Sequence, residues 1–282
     1  IDDCDEPLAF GINVFGKDLS RSLYSVTIGR NLTYSNDYPP FLRQTEMRIA
    51  TLGEKVTSVG DYLFAGCWAL SQVFLPSTIT RIGDGAFYEC GVLKSLEIPE
   101  SVTSIGHYAF GVCEALEALV LPEGLTEIGG GVFLRCKSLT SMTIPDGIGE
   151  IGDEFFKKCE ALESVKLTSV TTVGAEAFAG CEALETLSIA AVEPPAVGDN
   201  SFDESAYGSV TLQVPDEGKP AYKEHKVWSR FLFEADPEEP VDPEEPTDPE
   251  EPTDPEEPTD PEQPTDPVDP TVPEEPTVPT EP

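Results

Sequence analysis

Apolar positions repeat at a fixed step along residues 56–189. The step is 23 residues four times and then 22 residues once, and six successive copies share four positions. These are a glycine slot (Gly60, Gly83, Gly106, Gly129, Gly152, Gly174), a phenylalanine slot (Phe64, Phe87, Phe110, Phe133, Phe156, Phe178), a cysteine slot (Cys67, Cys90, Cys113, Cys136, Cys159, Cys181) and a leucine slot (Leu70, Leu93, Leu116, Leu139, Leu162, Leu184). A fixed step of this length predicts a solenoid of stacked repeats.

Each copy ends in two apolar residues that are separated by one other residue. The pairs are Val73 and Leu75, Leu96 and Ile98, Leu119 and Leu121, Met142 and Ile144, Val165 and Leu167, and Leu187 and Ile189. Period two predicts a short strand with one buried face. In the first four copies a proline follows and ends the strand, because proline has no N–H to donate. The Gly-x-x-x-Phe segment is too short for a helix and predicts a turn or a single 3₁₀ turn.

One copy cannot bury its apolar side chains alone. Burial of a large apolar side chain stabilises by roughly 1.5–3 kcal/mol, whereas ordering each residue costs about 1–2 kcal/mol of backbone entropy. The net gain per copy is small, so neighbouring copies are required.

The repeat resembles the leucine-rich repeats of the BspA-like bacterial surface proteins, also called the Treponema type. The resemblance rests on I-G-x-x-A-F-x-x-C-x-x-L-x-x-L-x-I-P, which residues 82–99 match throughout, and with flanking units it covers about residues 20–233. It implies an α/β, β-rich leucine-rich repeat solenoid of about eight coils of 22–24 residues with terminal caps, followed by a disordered polyproline II-like tail.

The pattern divides the chain into four predicted segments. We expect an N-terminal cap over 1–31, the leucine-rich repeat solenoid over 32–217, a C-terminal cap helix with a closing segment over 218–235, and an acidic, proline-rich, disordered stalk over 236–282. In the N-terminal cap, alternation at Phe10, Ile12 and Val14 predicts a strand that covers the first coil.

The predicted stalk has proline at every third position from Pro237 to Pro282. Three residues make one turn of polyproline II. Residues 236–282 also contain 19 acidic and no basic residues and almost no apolar ones, so the segment cannot fold compactly. Tails of this kind resemble the wall-spanning spacers of Gram-positive surface proteins.

Charge and hydropathy exclude some partners. The formal net charge of −36 disfavours binding to nucleic acid or to an anionic membrane through bulk charge. No run of 18 apolar residues is present, so we predict no insertion into a membrane. The sequence begins at Ile1 rather than Met, which we interpret as a processed or trimmed chain. We expect an extracellular, cell-surface or cell-wall location.

Seven cysteines are compatible with a disulfide framework, but six of them share one internal slot. We predict that these six are buried free thiols that act as small hydrophobic side chains, and pairing or metal binding stays open for some of them. Cys4 stands apart in an acidic context, and whether it is free, paired or modified is left open.

The sequence contains no convincing catalytic motif. Neither His107 nor His225 has a recurring Ser, Cys or Asp partner, and no phosphate-binding loop, nucleophile elbow or zinc-protease motif is present. We predict a non-enzymatic protein without a catalytic site, cofactor or metal.

The predicted sheet exposes two rows of outward side chains. The first outward row is Gln72, Ser95, Ala118, Ser141, Ser164 and Thr186, and the second outward row is Phe74, Glu97, Val120, Thr143, Lys166 and Ser188. From them we choose a candidate partner-binding face of Gln72, Phe74, Glu97, Val120, Thr143, Lys166 and Ser188. The alternative is that these residues merely solvate the sheet.

Three functions fit this architecture. The first is adhesion, in which a monomeric body binds a protein or glycan on a host or neighbouring cell and the stalk presents it. The second is a structural scaffold or spacer within a larger surface protein. The third is a polysaccharide-binding accessory module.

Overall fold

The structure is a computed structural model that describes residues 8–9 and 23–234. The chain divides into a unit of residues 1–236 and a second unit of residues 237–282. The strand predicted around Phe10, Ile12 and Val14, the stalk over 236–282 and Cys4 lie outside the described residues.

The described body is a parallel β-solenoid of about nine turns with little helix, which confirms the predicted leucine-rich repeat solenoid. Its main sheet consists of parallel strands, one from most of the turns. They are β2 (Ser25–Ile28), β4 (Ile49–Leu52), β6 (Gln72–Phe74), β10 (Ser141–Ile144), β12 (Ser164–Leu167), β14 (Thr186–Ile189), β16 (Thr211–Gln213) and β17 (Leu232–Phe233). The register advances by one repeat per strand, as in Ser141 beside Ser164 and Ser164 beside Thr186.

The main sheet is interrupted in its middle. Strands β2, β4 and β6 form one sheet and β10, β12, β14, β16 and β17 another, whereas the two intervening coils are joined only by a bridge between Ser95 and Ala118. The strands predicted in these coils are therefore not formed in full. Their outward residues include Glu97 and Ala118, and Glu and Ala are depleted in strands, whereas β10 and β12 place Ser141, Thr143 and Ser164 there.

A second ladder of two-residue strands runs along another side of the solenoid and was not predicted. One part consists of β5 (Ser58–Val59), β7 (Arg81–Ile82), β8 (Ser104–Ile105) and β9 (Glu127–Ile128), and the other of β11 (Glu150–Ile151), β13 (Thr172–Val173) and β15 (Ala196–Val197). A separate pair joins β1 (Leu8–Ala9) to β3 (Leu32–Thr33). The shorter 22-residue step is absorbed between β12 and β13, where four residues replace the five between β10 and β11.

The segment predicted as a turn forms the third side of each coil. Alternate amides bond to the next coil, as in Tyr62 to the Asp84 carbonyl at 2.7 Å and Phe64 to the Ala86 carbonyl at 2.9 Å. This ladder requires two left-handed residues in most coils, such as Tyr62 at φ 54° and Gly66 at φ 68°. The predicted turn is present, but it is hydrogen-bonded between coils rather than closed on itself.

The core contains one continuous stack of phenylalanine rings. Phe41 occupies the slot in the first coil, and from Phe41 to Phe133 successive centroids lie 5.6–5.9 Å apart with interplanar angles of 17° or less. Offset stacking of this kind adds roughly 0.5–1.5 kcal/mol per pair to the burial of the rings. The stack joins the interiors of neighbouring coils, while the hydrogen bonds between strands set the spacing of residues on the outer surface.

The C-terminal end of the stack is covered by aromatic residues. Trp228 and Phe231 meet Phe202 edge-on at 5.6 and 5.0 Å. The indole N–H of Trp228 donates to the Pro195 carbonyl at 2.8 Å, and the hydroxyl of Tyr222 donates to the Ala191 carbonyl at 2.9 Å. Tyr222 lies in helix α1 (Lys219–Glu224), and short 3₁₀ turns η1 (Glu204–Ala206) and η2 (Trp228–Arg230) flank the same end.

Candidate binding face

The predicted face is built by the register of the main sheet. In a parallel sheet without a register shift, equivalent residues of successive strands lie side by side, about 4.8 Å apart. Thr143 is paired with Lys166, and Lys166 with Ser188. Gln72 and Phe74 lie at the edge of the three-stranded sheet, where Thr51 is paired with Phe74.

The structure does not bring all seven predicted residues into one site. Gln72, Phe74 and Glu97 line an open recess of about 300 Å³, which we call the N-terminal recess. The other four line a separate recess of about 540 Å³, which we call the C-terminal recess: Val120, Thr143, Lys166 and Ser188. The interruption of the sheet at Ser95 and Ala118 lies between the two groups.

Phe74 dominates the N-terminal recess. Its ring is 56 % exposed, although a phenylalanine is ordinarily buried. Ser71, Ser95 and Glu97 surround it with polar groups. The recess therefore offers one apolar ring with a carboxylate at its border.

The C-terminal recess combines an exposed apolar side chain with one cation, Lys166, and one carboxylate, Glu123. Val120 is 78 % exposed. Lys166 forms no ion pair with any described residue, although residues 23–234 contain 29 acidic and 15 basic side chains. Hydroxyl groups of Ser141, Thr143 and Thr186 line the same recess. The arrangement suits a partner that presents an apolar side chain and an anionic group together.

Gln213 belongs to the C-terminal recess and was missed by the sequence analysis. It lies beside Ser188 in strand β16, and the Ser188 hydroxyl donates to its side-chain oxygen. The alternation of Val210, Leu212 and Val214 was sufficient to identify Gln213 as outward. The second outward row therefore extends one coil further than predicted, from Ser188 to Gln213.

The interior below the face contains the six cysteines of the repeats. The prediction of buried free thiols is confirmed for the six cysteines of the repeats. Each thiol donates to the carbonyl of the phenylalanine slot one coil earlier, as in Cys113 to Phe87 at 3.2 Å and Cys159 to Phe133 at 3.0 Å. The cysteine slot thus requires a small side chain that can also donate a hydrogen bond to the buried carbonyl of the phenylalanine slot.

Burial also keeps these thiols neutral. It raises the pKa of Cys67, Cys113 and Cys181 to about 12. It raises the pKa of Cys90, Cys136 and Cys159 well above the ordinary value. The nucleophilic form of cysteine is the thiolate, so burial leaves these six residues weakly nucleophilic at neutral pH.

Both histidines have structural partners. Nδ1 of His107 accepts from the amide of Gly130 at 2.9 Å, and Nδ1 of His225 accepts from the amide of Val227 at 3.2 Å. Among residues 8–9 and 23–234, no three His, Cys, Asp or Glu side chains are arranged to hold a metal ion. In the same part of the chain no helix has the length and hydropathy of a bilayer span.

Comparison with known proteins places these features in a wider group. The sequence matches the family described as the BspA type leucine rich repeat region, in six copies over residues 18–105 and 80–207. The sequence matches no curated protein.

Several solved structures are similar to the chain, two of them as follows. The leucine-rich repeat protein of T. pallidum, TpLRR, is 28 % identical with a TM-score of 0.50, and the match covers 57 % of this chain and 78 % of that one. A leucine-rich repeat protein from Bacteroides ovatus is 25 % identical with a TM-score of 0.55, over 74 % of this chain and 65 % of that one.

Proposed function

Since the chain belongs to the BspA-type leucine-rich repeat family, as its repeat predicted, we propose that it is an adhesion module that binds a partner protein at the bacterial surface. Leucine-rich repeat bodies of this family are protein-binding repeat modules and are generally non-enzymatic.

The observation that supports the proposal is the juxtaposition in the C-terminal recess of Val120 and Lys166. Two sheet spacings, or about 10 Å, separate their positions along the solenoid. Burying Val120 against a partner recovers part of its hydrophobic free energy. An ion pair to Lys166, shielded from water by the contact, adds specificity, and Lys166 is available for it because it forms no ion pair with a described carboxylate, including Glu123 of the same recess. The preferred partner segment therefore carries an apolar and an acidic side chain.

Phe74 provides a second anchor on the same side of the solenoid. Aromatic residues are enriched among the residues that dominate binding energy at interfaces. The phenylalanine stack in the core holds the coils at a fixed spacing, so the two recesses are pre-organised and binding requires little ordering of the body.

The test compares adhesion of three proteins to cells and to purified surface proteins. The first is the full chain of 282 residues, and the second carries Phe74→Ala, Val120→Thr and Lys166→Glu. The third is a matched control with Val92→Ala, Val192→Thr and Lys226→Glu, which also changes two exposed apolar residues and one exposed cation but leaves both recesses intact. We expect the face variant to lose at least about tenfold in affinity and the control to bind like the wild type. Equal binding by all three proteins contradicts this face.

We also propose that the segment over 236–282 presents the body outside the cell. Its proline at every third position and its uniform negative charge favour an extended spacer. Antibodies against the body should label intact cells, and mild protease should release it. If labelling requires permeabilised cells, the surface location is wrong.

A structural spacer is the second candidate function, and the first outward row favours it. Ser95, Ala118, Ser141 and Ser164 are small residues that offer a partner no anchor. A spacer predicts that the face variant behaves like the wild type in adhesion, whereas shortening the array of coils abolishes function.

A further inference from the structure

The two tryptophans of the chain have opposite environments. Trp228 is completely buried, whereas Trp68 is 60 % exposed. Trp68 follows the cysteine slot of its coil, and the other coils have small or charged residues at this position: Thr45, Gly91, Glu114, Lys137, Glu160 and Glu182. Stacking of the coils therefore does not require an aromatic ring here.

Trp68 forms one wall of an open recess of about 340 Å³, the tryptophan recess, whose other lining residues are Arg43, Thr45 and Glu89. None of these four residues lines either recess of the sheet face. The volume lies at the lower end of the range of about 300–1,000 Å³ that is typical of small-molecule sites.

The backbone beneath the recess is fixed by hydrogen bonds. The amide of Arg43 donates to the Ala65 carbonyl at 2.7 Å, and that of Glu89 donates to the Gly111 carbonyl at 2.9 Å. Arg43 and Glu89 are two coils apart in the same left-handed position, with Gly66 between them. Gly66 leaves room for the side chain of Arg43 to lie over it, because a Cβ there would meet Cγ of Arg43 at 2.7 Å.

The polar groups around the ring are available to a ligand. Within residues 23–234, Arg43 and Glu89 form no ion pair, and the indole N–H of Trp68 has no hydrogen-bond acceptor. A Cβ added at Gly91 would meet no heavy atom within 4 Å, so the side of Trp68 towards the next coil is also open.

This combination of groups selects the chemistry of the ligand. A purely anionic ligand is opposed by Glu89 and a purely cationic one by Arg43, while a purely apolar ligand leaves both charges desolvated without a partner. A ligand that stacks an apolar C–H face on the indole and presents hydroxyl groups at its edge satisfies all of them. Hydroxyls donate to the carboxylate and accept from the guanidinium.

We propose that the tryptophan recess is a saccharide-binding site, in which a pyranose ring stacks on Trp68 while Arg43 and Glu89 hydrogen-bond its hydroxyl groups. The site is separate from the sheet face, so the body has one surface for a protein and another for a neutral glycan of one or two sugar units. Thr45 adds a hydroxyl at the border of the recess.

The experiment titrates the full chain with maltose, cellobiose, lactose and N,N′-diacetylchitobiose while tryptophan fluorescence is recorded. Because Trp228 is buried, a change on binding reports Trp68. We expect at least one disaccharide to shift the emission saturably in the millimolar range and to protect Trp68 from quenching by acrylamide. Isothermal titration measures the same binding in variants that lack Trp68.

Three variants and one control decide the result. Trp68→Ala should abolish binding, and Arg43→Gln and Glu89→Gln should each weaken it about tenfold, because each loses hydrogen bonds to a charged group. Phe74→Ala, on the sheet face, should bind sugar like the wild type. The proposal is overturned if none of the four disaccharides binds the wild type, or if binding persists in Trp68→Ala. Loss of adhesion in the face variant leaves this result unaffected, so the two proposals fail independently.

Discussion

The inward and outward sides of each repeat are constrained to very different degrees. Inward, Phe87, Phe110 and Phe133 are stacked with nearly parallel rings, and a thiol bonds a carbonyl in the coil before it. Outward, the second row changes from Phe74 through glutamate and valine to Lys166 within five coils. An inward side chain must fit the coil on each side, whereas an outward one needs to fit neither. The outward positions are therefore free to carry recognition.

The largest expected effect that tests this difference is the loss of folding stability at alkaline pH. The buried thiols have a raised pKa in the folded protein, so the unfolded state releases their protons first, above the ordinary value of 9.0. Their stabilising contribution is constant below that pH and is lost as pH rises towards about 12. Each thiol lowers the free energy of unfolding by about 1.4 kcal/mol per pH unit in this range, so six thiols together lower it by about 8 kcal/mol per pH unit.

A domain of ordinary stability, about 5–15 kcal/mol, should therefore unfold within about two pH units above 9. Urea unfolding followed by circular dichroism at several pH values measures the slope. Cys113→Ala should reduce the slope by about one sixth, while Val120→Thr, which changes an exposed side chain that does not titrate, should leave it unchanged. A free energy of unfolding that is flat between pH 8 and 10 contradicts the dry interior.

The next largest expected effect is the difference in stability loss between a Phe→Ala substitution on the inward side and one on the outward side. Phe110→Ala removes a fully buried ring from the middle of the stack and should cost about 3–5 kcal/mol of the free energy of unfolding. Phe74→Ala removes an exposed ring and should change it by less than about 0.5 kcal/mol. Thermal and urea denaturation of both variants measure the contrast, and similar losses would show that the face is part of the core.

Glycines that lie beneath large outer side chains test the contrast between the two sides more sharply. At these positions the outer side chain packs directly on the glycine, so the outer surface is constrained as well. Gly131 has φ 62°, and a Cβ on it would lie 2.1 Å from Cε1 of Tyr108. Gly131→Ala should therefore cost about 1–3 kcal/mol through strain and displacement of the ring. Adding Tyr108→Gly should recover part of that loss in a double-mutant cycle. If the two effects are simply additive, the ring does not depend on the glycine.

The smallest expected effect has the opposite sign. Arg135 is exposed and has φ 59°, a left-handed conformation that costs a side-chain-bearing residue about 1–2 kcal/mol. Arg135→Gly removes this cost but adds about 0.5–1 kcal/mol of unfolded-state entropy. We expect a net gain of about 0.5–1 kcal/mol, measured by urea denaturation, with Lys137→Gly as a control that should be neutral or destabilising. Destabilisation by Arg135→Gly would mean that its side chain contributes more than the strain.

The sequence was sufficient to predict the solenoid, because six copies of one pattern leave few other ways to bury Phe and Cys. It did not reveal the ladder of two-residue strands such as Ser104–Ile105, since two residues carry no detectable period. It also did not reveal that Ser95 and Ala118 interrupt the main sheet, which depends on hydrogen bonds between coils.

The candidate face was only partly predictable, for a related reason. Alternation identifies the outward residues, but the grouping into two recesses follows from where strand pairing stops. Trp68 was overlooked because it lies outside the strands, although a single tryptophan in a slot otherwise filled by small or charged residues was a visible signal. What the face binds depends on a partner that the sequence does not contain.

The continuous hydrogen bonding along the third side of the coils also bears on how such a molecule changes length. Excising 23 residues from Gly106 to the residue before Gly129 would bring together two coils with the same slots, and the 22-residue step after Gly152 shows that a turn accommodates the loss of one residue. Gain or loss of a coil moves one recess relative to the other by a single increment of about 4.8 Å. Duplication or deletion of one repeat in the gene therefore changes the distance between the two recesses in steps of one coil, and it leaves the packing of the interior unchanged.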